Sequence, residues 1–182
     1  MTNPVRKISH IFVIQNLPAG QSPTGYDLYN DVIRRRIDYI QAADIKMTHH
    51  FFDTKDKSTF VDAIKYIEAN AKYFTGGVLI HFETHGSENR DGLVLANGTL
   101  ISWSELVAMF RPINILTCNK LFISMATCYG RYLYLGINPH SNEKSPYQAY
   151  ISASDKVMPE NVLEKFSHLF EILIDTGDLI HA

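Results

Sequence analysis

With 182 residues, 46% of them hydrophobic, the chain is long enough to bury a core and matches one domain spanning residues 1–182. Its 17 Lys and Arg stand against 19 Asp and Glu, a net charge of −2 that gives no basic footprint for nucleic acid, and no apolar run approaches the ~20 residues of a membrane span. Cys118 and Cys128 make neither a disulfide framework nor a CxxC pair, and Met1 to Lys7 lacks the apolar core of a signal peptide, so a cytoplasmic setting is expected.

Taken in order, Ile8 to Ile14 is rich in β-branched and aromatic residues and predicts a first strand, followed by a loop marked by Pro18, Gly20, Pro23 and Gly25. From Tyr26 the apolar spacing lengthens, and Tyr29, Ile33, Ile37 and Ile40 predict an amphipathic helix whose Arg34-Arg35-Arg36 forms a solvated face. Ile45 to Phe52 predicts a second strand. Ser58 is the expected cap of a helix striped by Phe60, Ile64, Ile67, Ala71 and Phe74, which Gly76-Gly77 ends. The glycine-bounded apolar run 76–83 predicts a buried third strand leading into Thr84-His85-Gly86-Ser87. Gly92 to Ile101 reads as a hairpin about Asn97-Gly98.

Ser102-Trp103-Ser104-Glu105 has the form of a capping box and opens a helix expected to run to Arg111 and stop before Pro112. Leu121 to Ala126 predicts a fourth buried strand, which delivers Thr127-Cys128-Tyr129-Gly130. Residues 131–147 read as a long exposed loop, Gln148 to Ala153 as a fifth strand, and Pro159 as the first turn of a last helix facing Val162, Phe166, Leu169 and Leu173 inward. The alternation of strand and helix calls for a mainly parallel sheet covered on both faces, with the third and fourth strands side by side.

In such a sheet His85 and Cys128 leave the carboxyl ends of adjacent strands, where open α/β sheets place their ligands. A thiol is a strong nucleophile only as the thiolate, so it requires a nearby base; His85 is that base, and Gly86 leaves a backbone N–H unobstructed for an oxyanion, with the Cys128 N–H as second donor. The alternative is that Cys128 is a small buried hydrophobe and His85 a loop histidine satisfied by backbone. No metal is expected: His81 and His85 lie about 13 Å apart along a strand, and His49 and His50 point to opposite faces. Walker, Gly-x-Gly-x-x-Gly and Gly-x-Ser-x-Gly motifs are absent, and Cys118 is not expected to be catalytic.

Three stretches together resemble the caspase-like cysteine peptidases, in particular the prokaryotic caspase homologues of CHAT type and the metacaspase relatives. They are Phe82-Glu83-Thr84-His85-Gly86-Ser87, Asp91-Gly92-Leu93-Val94-Leu95 with Ile101-Ser102-Trp103-Ser104-Glu105-Leu106 after it, and Met125-Ala126-Thr127-Cys128-Tyr129-Gly130. The likeness is close over about residues 76 to 135 and otherwise rests on element order. It implies a caspase-hemoglobinase-like three-layer α/β sandwich, a His85–Cys128 dyad with Gly86 in the oxyanion hole, a protein or peptide substrate and no cofactor. Ala-Thr-Cys-Tyr-Gly departs from the Gln-Ala-Cys of animal caspases and the Asp-Ser-Cys of metacaspases.

Caspases that cut after Asp use an Arg from the loop after the first strand, whereas residues 15–25 here hold no Lys or Arg. A basic P1 preference is the expectation instead, with Asp155 as the substrate-binding carboxylate; a cap or turn ahead of the Pro159 helix is the other role open to Asp155. Loop 131–147, with Arg131 and Lys144, corresponds to the segment where relatives are cut on activation, so an activating protease or sensor protein is an expected partner. The sequence ends soon after the last helix, and a second chain, as in a homo-oligomer, or a partner protein is expected to complete the site. By this resemblance the chain is a regulated bacterial protease in stress or antiphage defence. Two other readings are a catalytically silent caspase-like module that binds a partner protein, and a doubly wound signalling or small-ligand domain.

Overall fold

The structure, a computed structural model, describes residues 8–41, 46–74, 76–156 and 158–178. Met1 to Lys7 and the expected strand start at Ile45 lie outside them. Strand β1 (Ile8–Asn16) is followed by a continuous helical segment made of α1 (Thr24–Asp27), a π-helical stretch Leu28–Arg34 and α2 (Arg35–Gln41). Then come β2 (Thr48–Asp53), α3 (Lys57–Asn70) with a 3-10 turn Ala71–Tyr73, and β3 (Gly77–Gly86). The hairpin β4 (Gly92–Val94) and β5 (Leu100–Ser102) leads into α4 (Trp103–Leu116) and β6 (Leu121–Met125). A 3-10 segment Gly130–Gly136, β7 (Ala149–Ser152) and α5 (Pro159–Thr176) complete the described chain.

Five strands run parallel in the order β2-β1-β3-β6-β7, and the hairpin pairs antiparallel with the last residues of β3, His85 opposite Val94 and Gly86 opposite Leu93. The third and fourth predicted strands are thus neighbours, in register from Val78–Leu121 to Phe82–Met125. Alternation along each strand sorts side chains between two cores. Phe12, Ile14, Val78, Ile80, Phe82, Leu121, Ile123 and Met125 meet α3 and α4, while Ile11, Val13, Leu79, Phe122 and Ala126 meet the α1–α2 segment and α5. This is a three-layer α/β sandwich. The chain goes from β1 to β2 on one side and then returns to β3 on the other, so strand order reverses between β1 and β3, and a crevice opens at their carboxyl ends.

Several local expectations are corrected. The cap of α3 is Asp56, not Ser58: its carboxylate accepts from the Thr59 N–H at 2.8 Å, and Thr59 Oγ1 accepts from the Asp56 N–H, a reciprocal box that Ser58, two residues later and already helical, cannot make. Helix α4 continues through Pro112 because only one ladder hydrogen bond is lost, while the next turn is held from outside. Ile113 is fully buried, and the Asn114 side chain donates to Ser145 O and accepts from the Leu121 N–H. The Ser102–Glu105 capping box stands as expected. Loop 131–147 is ordered in its first half, where Leu133 enters the core and Gly136 lies so close to Trp103 that a Cβ would come 2.4 Å from its carbonyl oxygen. Of the arginine triplet, Arg34 and Arg35 are exposed and Arg36 makes a forked contact with Asp175 on α5. Among the described residues no helix is long and apolar enough to cross a membrane.

Candidate active site

The period of two along β3 puts His81, Glu83 and His85 on the face toward α1 and α5, with Phe82 on the opposite face. Beyond the last paired residues of β6, the chain stays against β3: the Ala126 N–H donates to Phe82 O at 2.9 Å and Thr127 Oγ1 donates to Thr84 O at 3.1 Å. Gly86 then meets Cys128 backbone to backbone, since a Cβ on Gly86 would sit 1.8 Å from the Cys128 carbonyl oxygen. Only a residue without a side chain permits that approach.

His85 and Cys128 line one cavity of about 400 Å³, together with Glu83, Ala126, and Gln21 and Thr24 from the far end of the β1 loop. Both residues are half-buried, so the thiol is not sealed among aliphatic side chains. His85 Nε2 lies 2.7 Å from Gln21 Oε1. A hydrogen bond donated from Nε2 to that oxygen would leave Nδ1 as the unprotonated nitrogen. No family model and no curated protein matches the chain.

The direction of the Gly86 N–H follows from the ladder. The Ser87 N–H donates to Gly92 O at 2.9 Å, so Gly86–Leu93, the next pair, is the one that does not exchange hydrogen bonds. The Gly86 N–H therefore points away from the hairpin. Phe82 O and Thr84 O, on the same parity of the strand, already face the β6 side, which sets the Gly86 N–H toward Cys128.

The residue after Cys128 is held in an uncommon conformation. Tyr129 has φ 59°, and in the loop after β3 Arg90 has φ 63°. The Arg90 guanidinium lies 5.1 Å from the Tyr129 ring centre and 5.4 Å from that of Tyr132, while Arg90 O accepts from Trp103 Nε1 at 2.7 Å. These contacts clamp the loops that follow β3 and β6 to one another, with the two left-handed residues at the junction.

Sequence reasoning missed Gln21, Thr24 and Glu83. The signal for Glu83 was present: a polar residue at every second position of an otherwise apolar strand marks one face as different. Asp155 is exposed and opens on a neighbouring cavity of about 490 Å³ shared with Lys156, Lys165 and His168, because the chain leaving β7 turns toward α5. Its link to the dyad is through backbone, Asp155 O accepting from the Tyr129 N–H at 3.3 Å. Cys118 is exposed at the end of α4 with φ 56°. His49 faces Tyr29 and His50 faces Tyr66, on opposite sides of β2. Among the described residues no three His, Cys, Asp or Glu side chains are grouped to hold a metal ion.

Proposed function

We propose that the chain is a cysteine endopeptidase of caspase-hemoglobinase-like type, acting on a protein or peptide substrate. The observation that carries this reading is that His85 and Cys128 line one cavity at the carboxyl ends of adjacent parallel strands, with Gly86 packed against the Cys128 backbone. In the proposed reaction His85 Nδ1 takes the thiol proton and Cys128 Sγ attacks the scissile carbonyl carbon, whose oxygen is met by the Gly86 N–H. The C–N bond breaks as His85 returns the proton to the leaving amine, giving a thioester. Water, deprotonated by His85, then attacks the thioester; the acid leaves and the thiol is restored. Gln21 holds the imidazole in the tautomer that this sequence of transfers requires.

A basic P1 preference fits a cavity whose lining holds no Lys or Arg to favour an acidic side chain. Labelling with Arg, Lys and Asp peptide probes tests it, and preferred labelling by the Asp probe would refute it. Within the 131–147 loop the exposed Lys144 is the better cleavage point, since Arg131 sits in a 3-10 segment with its N–H bonded to Ala153 O at 3.2 Å. Full activity of a chain whose intact mass shows no cut would remove proteolytic activation. Cleavage of a mixed peptide library by the wild type and its loss in Cys128→Ala is the primary test; a variant that still cleaves defeats the reading. A wild type that captures a partner protein but cleaves nothing points to the silent module. A role in bacterial stress or antiphage defence is proposed on the resemblance alone.

A further inference from the structure

We infer that Glu83 is a positioning residue for His85, acting through the loop that carries Gln21. Its consequence for rate rests on the peptidase reading, whereas the hydrogen bonds behind it do not. Glu83 is 3% exposed, and both of its oxygens are engaged inside the protein. One lies 3.3 Å from His81 Nε2, and the other accepts from Thr24 Oγ1 at 3.1 Å. His81 is itself fully buried, with Nδ1 3.0 Å from Ser124 Oγ on β6 and its ring 5.0 and 5.2 Å from the rings of Phe166 and Phe170 on α5. The carboxylate is thus fixed from two elements before it touches the loop. A buried carboxylate without such partners would be costly, and its partners here define where it can stand.

What Glu83 fixes in turn is the start of α1. Thr24 is the first helical residue, and Gly25 packs directly on the carboxylate side chain: a Cβ at Gly25 would come 2.7 Å from Glu83 Cγ and 3.1 Å from Gln15 Oε1. Gln15 Oε1 also accepts from the Tyr26 N–H at 3.0 Å. The start of α1, residues 24–26, is therefore tied both to Gln15 on β1 and to Glu83 on β3. Gln21 lies three residues before this anchored start and reaches His85 Nε2. Releasing Thr24 frees Gln21, and the imidazole loses the acceptor that sets its tautomer and its angle to Cys128. Because the carboxylate is closed off by His81 and Thr24, holding the loop is the role its contacts support, ahead of direct contact with substrate.

A double-mutant cycle between Glu83→Gln and Gln21→Ala in the full chain tests the linkage. Glu83→Gln is expected to lower kcat roughly tenfold on a basic and on a neutral peptide alike with KM little changed, and to lower it less than about twofold further once Gln21 is Ala. Thr24→Val should reproduce the loss and Thr24→Ser should restore the rate, which guards against a Glu83 variant that merely unfolds. Additive losses, a Thr24→Val protein with wild-type kcat, or a Glu83→Gln protein that changes only KM for the basic peptide would each overturn the inference. If the wild type cleaves nothing, the peptidase reading fails, and the same cycle is read on the ¹⁵N tautomer signature of His85. Glu83→Gln must then move the Nε2 signal, and must not move it further in the Gln21→Ala background; an unmoved signal overturns the inference.

Discussion

The two faces of β3 are made from one ten-residue stretch and do different work. Toward α3 and α4 it presents Val78, Ile80 and Phe82, which join Phe60 and Phe110 in a continuous apolar core. Toward α1 and α5 it begins with Leu79 and then presents His81, Glu83 and His85, each tied to a polar partner from another element or from β3 itself. The first face makes the sheet stable; the second face spends part of the same strand on groups that a core would rather exclude. The difference shows how a site is built without weakening a fold: alternation lets one strand serve both ends at once.

Mutations at the two faces should separate stability from activity. Phe82→Ala, on the apolar face against Phe60 and Phe110, is expected to lower unfolding free energy by about 3–5 kcal/mol in urea titration. Gly86→Ala, at the polar end, forces the Cys128 carbonyl to move and, in the proposed peptidase mechanism, misplaces the donor to the oxyanion, so kcat should fall on the order of 10²-fold. A Gly86→Ala protein with near wild-type kcat would break the contrast. The apolar core on that side has its own exception in Tyr147, whose buried hydroxyl has no hydrogen-bond partner among the described residues and whose burial pushes its titration upward. Tyr147→Phe should be neutral or raise stability by roughly 1 kcal/mol, whereas deleting a polar atom from the His81–Glu83 face should lower it.

The smallest effect is at the surface. The hydrogen bond from Lys57, and then that from the Ser102 N–H, hold the Glu105 carboxyl below its ordinary value. A carboxyl whose folded-state pKa is depressed contributes stability that is present above its unfolded pKa, near 4.5, and is lost as pH falls through the lower folded-state value. Glu105→Gln should therefore lower stability by no more than about 0.5 kcal/mol near neutrality, given its exposure, and the gap should close in acid. Thermal melts across pH check this.

Most of the framework was legible in the sequence because its signals are local or strictly periodic. A glycine-bounded apolar run marked β3 and a nearly continuous apolar run marked β6, Ser102 and Glu105 marked the start of α4, and adjacency of parallel strands brought His85 near Cys128. What escaped depends on contacts between remote segments. The turn after Pro112 is held by Asn114, tied to Leu121 and Ser145, and Gln21 reaches His85 across 64 positions. Asp155 follows a strand as a pocket residue would, but the path of the chain after β7 turns its side chain to another cavity.

The two cysteines supply the most direct test of the dyad. Cys118 is exposed and Cys128 half-buried, so exposure alone would make Cys118 react faster with iodoacetamide. With His85 as its base, Cys128 should be alkylated at least about tenfold faster near pH 7, and His85→Ala should reverse the order. Peptide-mapped rates in which Cys118 reacts first in the wild type, unchanged by His85→Ala, would contradict the account.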